Sequence, residues 1–157
     1  MTDKNVSIMN IGSMGYLPQV FKKIENEKKL NIVYLGGSIT MGCNATKTEL
    51  RYVDRSAKWW QTNFPDAEIS YFNAGIGATT SQFGVARVQE HVLDKQPDLV
   101  FVEFSVNDSS SPLFMETYES LVRRLLKAES VKAVVLINNL FYDTGTNAQG
   151  IRCRSAL

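Results

Sequence analysis

The chain has 157 residues, 44% of them hydrophobic and 21% charged, which is enough for one domain with a hydrophobic core. That balance excludes a disordered or fibrous chain. With 17 basic and 16 acidic residues the formal net charge is +1, so no strong electrostatic pull toward nucleic acid or an anionic membrane is expected.

No apolar run reaches the ~20 residues that cross a bilayer. The first residues, MTDKNVSIMNIGSMG, lack the basic-then-apolar order of a secretory leader, so the chain as it stands reads as cytoplasmic. A secreted parent protein remains compatible with that reading. Cys43 and Cys153 are the only cysteines and His91 is the only histidine. Two cysteines make no disulfide framework, and two cysteines with one histidine are a poor zinc set. No metal and no cofactor are expected.

The predicted elements alternate. A helix from Leu17 to Lys28 precedes LNIVYLG (30–36), a short β-branched run that a glycine pair stops, as a buried strand would. Gly36-Gly37-Ser38-Ile39-Thr40 follows. Glycine permits a tight turn there, and a serine on such a turn either attacks a carbonyl once a base takes its proton or caps a helix. Gly37 to Gly42 has phosphate-loop spacing, but Cys43 stands where a lysine is required. The segment from Met41 to Arg55 reads as a long loop able to shape a pocket, with Asp54 and Arg55 as a structural ion pair.

A helix over 56–64 contains Trp59 and Trp60. Adjacent residues cannot share a helix face, so one of the two is expected in the core. EISYFNAG (68–75) is the second strand. It runs into a glycine-rich loop, Asn73 to Ser81, whose N–H groups would point at developing negative charge, or which is a plain turn capped by Thr80 or Ser81. Gly75 and Gly77 begin a dinucleotide fingerprint, but Thr80 holds its third glycine position.

The next helix, Gln82 to Leu93, carries Val85, Val88 and Val92 on one face. His91 lies in its body and is expected at the surface, pointing away from the strand ends. DLVFVEFS (98–105) is the third strand. It turns polar abruptly at Glu103 to Asp108, where Asn107 either donates to an oxyanion or forms a turn. Glu103, at the end of a buried strand, needs a partner, such as a loop N–H or an arginine. Met115, Tyr118, Leu121, Val122, Leu125 and Leu126 make a core-facing helix stripe, and VKAVVLIN (131–138) is the fourth strand.

Strands apolar on nearly every residue, alternating with helices, imply a parallel sheet covered on both faces by βαβ crossovers. Ligands of such sheets sit at the carboxyl ends of the strands. All three polar islands fall there, so they are expected to converge.

The GGSIT turn, the Asn-x-Gly-x-Gly loop and the Glu-Phe-x-x-Asn-Asp strand end together resemble the SGNH, or GDSL-type, hydrolases. These are esterases and lipases that include carbohydrate O-deacetylases. The likeness covers roughly residues 30–140. It implies a single domain over 1–157 with a three-layer α/β/α, flavodoxin-like parallel sheet, and a small-molecule or carbohydrate ester as substrate. By resemblance, Ser38 is the nucleophile and its N–H an oxyanion donor. The second block's glycine falls on Ala78, with Gly77 as the fallback donor. Asn107 is the side-chain donor, although Ser105 stands where that block has glycine. The family's Asp-x-x-His block, which supplies the base, has no counterpart in this sequence, so the chain reads as an N-terminal portion with weak or absent turnover. The fourth strand is then an exposed edge, and pairing with a second copy is expected. A flavodoxin-like phosphate- or nucleotide-binding module and a catalytically dead remnant are the rival readings.

Overall fold

The computed structural model describes residues 12–139. Helix α1 (Leu17–Glu27) leads into strand β1 (Lys29–Gly36), followed by a single helical turn, α2 (Ser38–Met41). A short 3₁₀ turn at Thr48–Leu50 precedes α3 (Tyr52–Asn63). Strand β2 (Glu68–Gly75), helix α4 (Ser81–His91), strand β3 (Leu99–Glu103), helix α5 (Pro112–Leu126) and strand β4 (Ala133–Leu136) complete the order.

The four strands form one parallel sheet in the order β2-β1-β3-β4. Gly36 at the end of β1 lies in register with Gly75 of β2 and Glu103 of β3. The chain steps from β1 outward to β2 and then to the other side of β1 with β3. Such a reversal leaves a crevice outside the carboxyl ends of the central strands.

Two cores sandwich the sheet, because successive strand residues point to opposite faces. Leu30, Ile32 and Tyr34 of β1 face α1 and α3, where Val20, Ile24, Val53 and Trp60 are buried. Val33 and Leu35 face α4 and α5 and pack with Val88, Tyr118, Leu121 and Leu125. This is the three-layer α/β/α arrangement expected.

Several local expectations are corrected. The stretch after Ser38 is no long loop, since α2, the 3₁₀ turn and an α3 that begins at Tyr52 take up most of 41–55. Asp54 pairs with Arg51, one turn back along the chain, with Nε 2.6 Å from Oδ2. Position 51 puts its side chain beside Asp54 at i,i+3, whereas neighbours in sequence diverge on a helix. Met115 and Leu126 are exposed although they match the α5 stripe, because both lie on one flank of the face that buries Tyr118, Leu121 and Leu125. Trp60 is buried against Phe21 and Phe64, while Trp59 is half outside.

Candidate active site

The carboxyl ends of β1 and β3 hold the first island. The Gly37 N–H donates to the Glu103 carbonyl at 3.2 Å, so the turn after β1 is tied to the end of β3. Ser38 is the first residue of α2, and Gly37 before it is the cap, with no side-chain capping bond. The Ser38 hydroxyl therefore does not cap the helix. It is half-buried and makes no hydrogen bond among the described residues. The turn is closed behind it by the Gly42 and Cys43 N–H groups, which donate to the Ser38 carbonyl at 3.0 and 2.9 Å. The Gly37–Gly42 run is thus a helical turn, not an open phosphate-binding loop.

The second island is drawn against that turn. Asn73 donates from Nδ2 to the Thr40 carbonyl at 2.8 Å, and its Oδ1 accepts the Gly75 N–H at 2.9 Å. Gly75 has room only for hydrogen, since a Cβ there would collide with the Met41 nitrogen and the Thr40 carbonyl carbon. Thr40 itself is buried, and its hydroxyl lies 2.9 Å from that of Tyr52. Burial holds the Tyr52 phenol well above its ordinary pKa, so it stays protonated. Beyond Gly75 the loop turns at Ala78, whose φ of 57° is in the left-handed region. Glycine adopts this conformation freely and alanine only at a cost. Gly77, the fallback donor, sits beside the Met41 side chain.

The third island closes the arrangement. Asn107 donates from Nδ2 to the Thr79 carbonyl at 2.9 Å. Asp108, almost fully buried, accepts the Ser81 N–H at 2.9 Å and so caps α4. Neither Thr80 nor Ser81 does so with its own side chain. Gly37 gauges the convergence, because a Cβ built on it would lie 3.3 Å from the Thr79 carbonyl oxygen and 3.7 Å from Asn107 Nδ2. The residue before Ser38, the residue after Ala78 and the Asn107 amide share one small space. Glu103, 1% exposed, accepts from the Ser105 hydroxyl at 2.8 Å. Its partner is thus the serine that replaces a family glycine, rather than an arginine or a loop N–H.

Sequence reasoning missed Thr79, Asp108 and Arg87. Arg87 is buried on α4, and its guanidinium donates to the Gly36 and Ala74 carbonyls. A cation in step with the buried Gly84 and Val88 was the available signal. His91, expected to point away from the strand ends, instead lies close to one. Its Nδ1 is 3.3 Å from Arg87 Nη1, and it lines a cavity of about 300 Å³ with Phe72, Gly75, Ile76, Glu90 and Lys95. Arg87, one turn earlier on α4, bonds the Ala74 carbonyl at the end of β2 and faces His91, which explains the difference. Among the described residues no three His, Cys, Asp or Glu side chains gather as a metal site, and no helix is long and apolar enough to cross a membrane.

No curated protein matches the chain. Among solved structures, a two-domain esterase (CEX) active on acetylated mannans superposes with a TM-score of 0.87 at 48% identity, over 94% of this chain and 40% of its own. A second structure of an esterase of that description, co-crystallised with mannopentaose, gives 0.78 at 49% identity, over 87% of this chain and 38% of its own. The chain therefore spans well under half the length of these relatives. Axe2, an acetylxylan esterase from Geobacillus stearothermophilus, shares the fold, with a TM-score of 0.63 at 21% identity over 80% of this chain and 69% of its own. The model of the GDSL-like lipase/acylhydrolase family matches residues 34–155, and the chain belongs to that family.

Proposed function

We propose that this chain carries the nucleophile and oxyanion-stabilising half of an acyl-ester hydrolase acting on O-acetylated carbohydrate. Ser38 attacks the ester carbonyl carbon through Oγ. The carbonyl oxygen becomes the oxyanion, and the Ser38 N–H, the Ala78 N–H and the second Nδ2 hydrogen of Asn107 receive it. The proton of the Ser38 hydroxyl passes to a base from solution, such as added imidazole, which returns it to the departing sugar oxygen, and the resulting acetyl-serine is then hydrolysed by water.

The observation that carries this reading is the convergence around Gly37, where the Thr79 carbonyl and the Asn107 amide stand 3.3 and 3.7 Å from a Cβ placed on the residue before Ser38. The carbohydrate ester is favoured by the relatives, since the two-domain esterase that is 48% identical acts on acetylated mannans.

A base is the weak element. The sequence holds no Asp-x-x-His, and the Nδ1 of its one histidine is turned to Arg87. Turnover by these residues alone is therefore slow, and an external base should restore it in part. Full triads that lose a member keep mainly oxyanion and binding effects.

The test is hydrolysis of p-nitrophenyl acetate with and without added imidazole, in the wild-type chain, Ser38→Ala and His91→Ala. Imidazole should accelerate the wild-type and His91→Ala proteins well beyond its reaction in Ser38→Ala. Equal rates in all three, together with no labelling of Ser38 by a fluorophosphonate, would overturn the proposal.

A further inference from the structure

We propose that Arg87 is a positioning residue, a buried guanidinium clamp that ties the carbonyl end of β1 to that of β2 and so fixes Ser38 relative to the Ile76–Thr79 loop. The inference rests on the acyl-transfer reading of those residues.

Arg87 reaches from α4 to two backbone oxygens on neighbouring strands. Nη1 donates to Ala74 O at 2.7 Å, and Nη2 donates to Gly36 O at 3.0 Å. Gly36 O also accepts the Ile76 N–H at 3.1 Å. One carbonyl thus receives both the clamp and Ile76, the first residue after β2. Gly36 lies two residues before Ser38, and Ala74 immediately precedes Gly75, where the chain leaves β2. Any relative slip of the two strand ends would displace the serine from the loop N–H groups opposite it.

The energetics single this residue out. Arg87 is only 6% exposed, and among the described residues no carboxylate pairs with it and its Nε has no partner. The Phe83 ring lies 5.7 Å from its guanidinium carbon, and the His91 ring nitrogen faces Nη1. Burial lowers its pKa from the ordinary arginine value, although an arginine remains charged. A buried cation without a counter-charge is costly, and an apolar side chain would fill the same space at less cost. What the guanidinium alone offers is a planar fork whose two nitrogens meet two carbonyls at once. A lysine ammonium on one flexible stem does not reproduce that geometry.

Backbone hydrogen exchange, read by segment on wild-type, Arg87→Lys and Arg87→Met chains, tests the clamp without requiring turnover. In Arg87→Met, exchange over 36–41 and 74–79 should quicken by about tenfold or more relative to β3 and α5, as expected when charged hydrogen bonds are lost. Arg87→Lys should fall between the two. Quickening spread evenly over the sheet and α5 would mean that Arg87 only adds stability, and would overturn the clamp.

Should neither variant fold, native-state exchange of the unaltered chain decides. The Gly37 and Ile76 amides should open in a single step, and separate openings would refute the proposal. Fluorophosphonate labelling of Ser38, measured on the same samples, separates the two readings. An unlabelled wild-type chain that also shows no Ser38-dependent acceleration by imidazole removes the acyl-transfer assignment and leaves the exchange result standing. A labelled wild-type with Arg87→Met labelling about tenfold more slowly, at a temperature where both are folded, supports clamp and function together.

Discussion

Ala78 carries the clearest strain at the site. Its φ of 57° is where the family's glycine would rest without penalty. An L-residue in the left-handed region costs roughly 1–2 kcal/mol, so Ala78→Gly should raise the unfolding free energy by about 1 kcal/mol, less the extra freedom glycine gives the unfolded chain. Urea titration of the two proteins measures this, and an unchanged or lower midpoint would contradict it. The backbone N–H is kept in the exchange, so Ser38 labelling should not fall. Asn107 is the opposite case. Its Nδ2 already holds the Thr79 carbonyl at 2.9 Å, so Asn107→Ala removes both the oxyanion donor proposed above and the tie that sets the loop. Loss of one such donor typically slows acyl transfer ~10²–10³-fold, and Ser38 labelling should slow on that order while the protein stays folded. Labelling at the wild-type rate would remove Asn107 from the site.

At the scale of elements, the sheet was legible and its fastenings were not. Apolar runs such as LNIVYLG report strands directly, because residues buried on both faces leave no polar alternation. The predicted boundaries of β1 and β2 lie within one residue of the observed ones. The three islands were legible for the same reason, since each sits where an apolar run stops. Partner choice was opaque. Nothing local in the sequence says that Asp108 caps a helix 27 residues earlier, or that Arg87 binds a carbonyl 51 residues away. Such pairings depend on which strand ends the topology makes neighbours. The Arg51–Asp54 pair illustrates the point. It also holds β2, since the Tyr71 hydroxyl donates to Asp54 Oδ1 at 2.9 Å. The Arg51 guanidinium, followed by the Tyr71 hydroxyl, lowers the Asp54 pKa below the ordinary carboxylate value. A carboxyl whose folded pKa is depressed adds stability that is present above its unfolded pKa and lost as pH falls through the folded value. Asp54→Asn should therefore lower the melting temperature at neutral pH and flatten the acid limb of the stability curve. Parallel curves for the two proteins would sink this. Tyr34 gives the alkaline counterpart. Burial, opposed by its hydrogen bond to Ser56, pushes its phenol up to about 12. Its contribution is complete below the unfolded tyrosine pKa and is lost as pH rises toward about 12, so its phenol, like that of the more strongly shifted Tyr52, should ionise only with unfolding.

For the molecule as a whole, the two ends of the sheet differ in a way that bears on assembly. Among the described residues β2 and β4 each have one strand neighbour. The β2 edge is guarded. Glu68 pairs with Lys29, the Tyr71 hydroxyl is held by Asp54, and the Lys95 ammonium lies 5.2 Å over the Phe72 ring. Charges on an edge strand disfavour pairing with another chain, because association must strip them of water. Among the described residues no ion pair or cation contact is formed by a β4 side chain. The β4 sequence is AVVL, and Val134, Val135 and Leu136 are only half-buried. An apolar edge strand templates a further strand, so we propose that two copies associate through β4 and not through β2. Light scattering over a range of protein concentrations should show a dimer fraction that rises with concentration. The β4 amides should exchange more slowly in concentrated than in dilute solution, while the β2 amides stay unchanged. A monodisperse monomer throughout, or protection that grows at β2 instead, would rule this edge out as the contact.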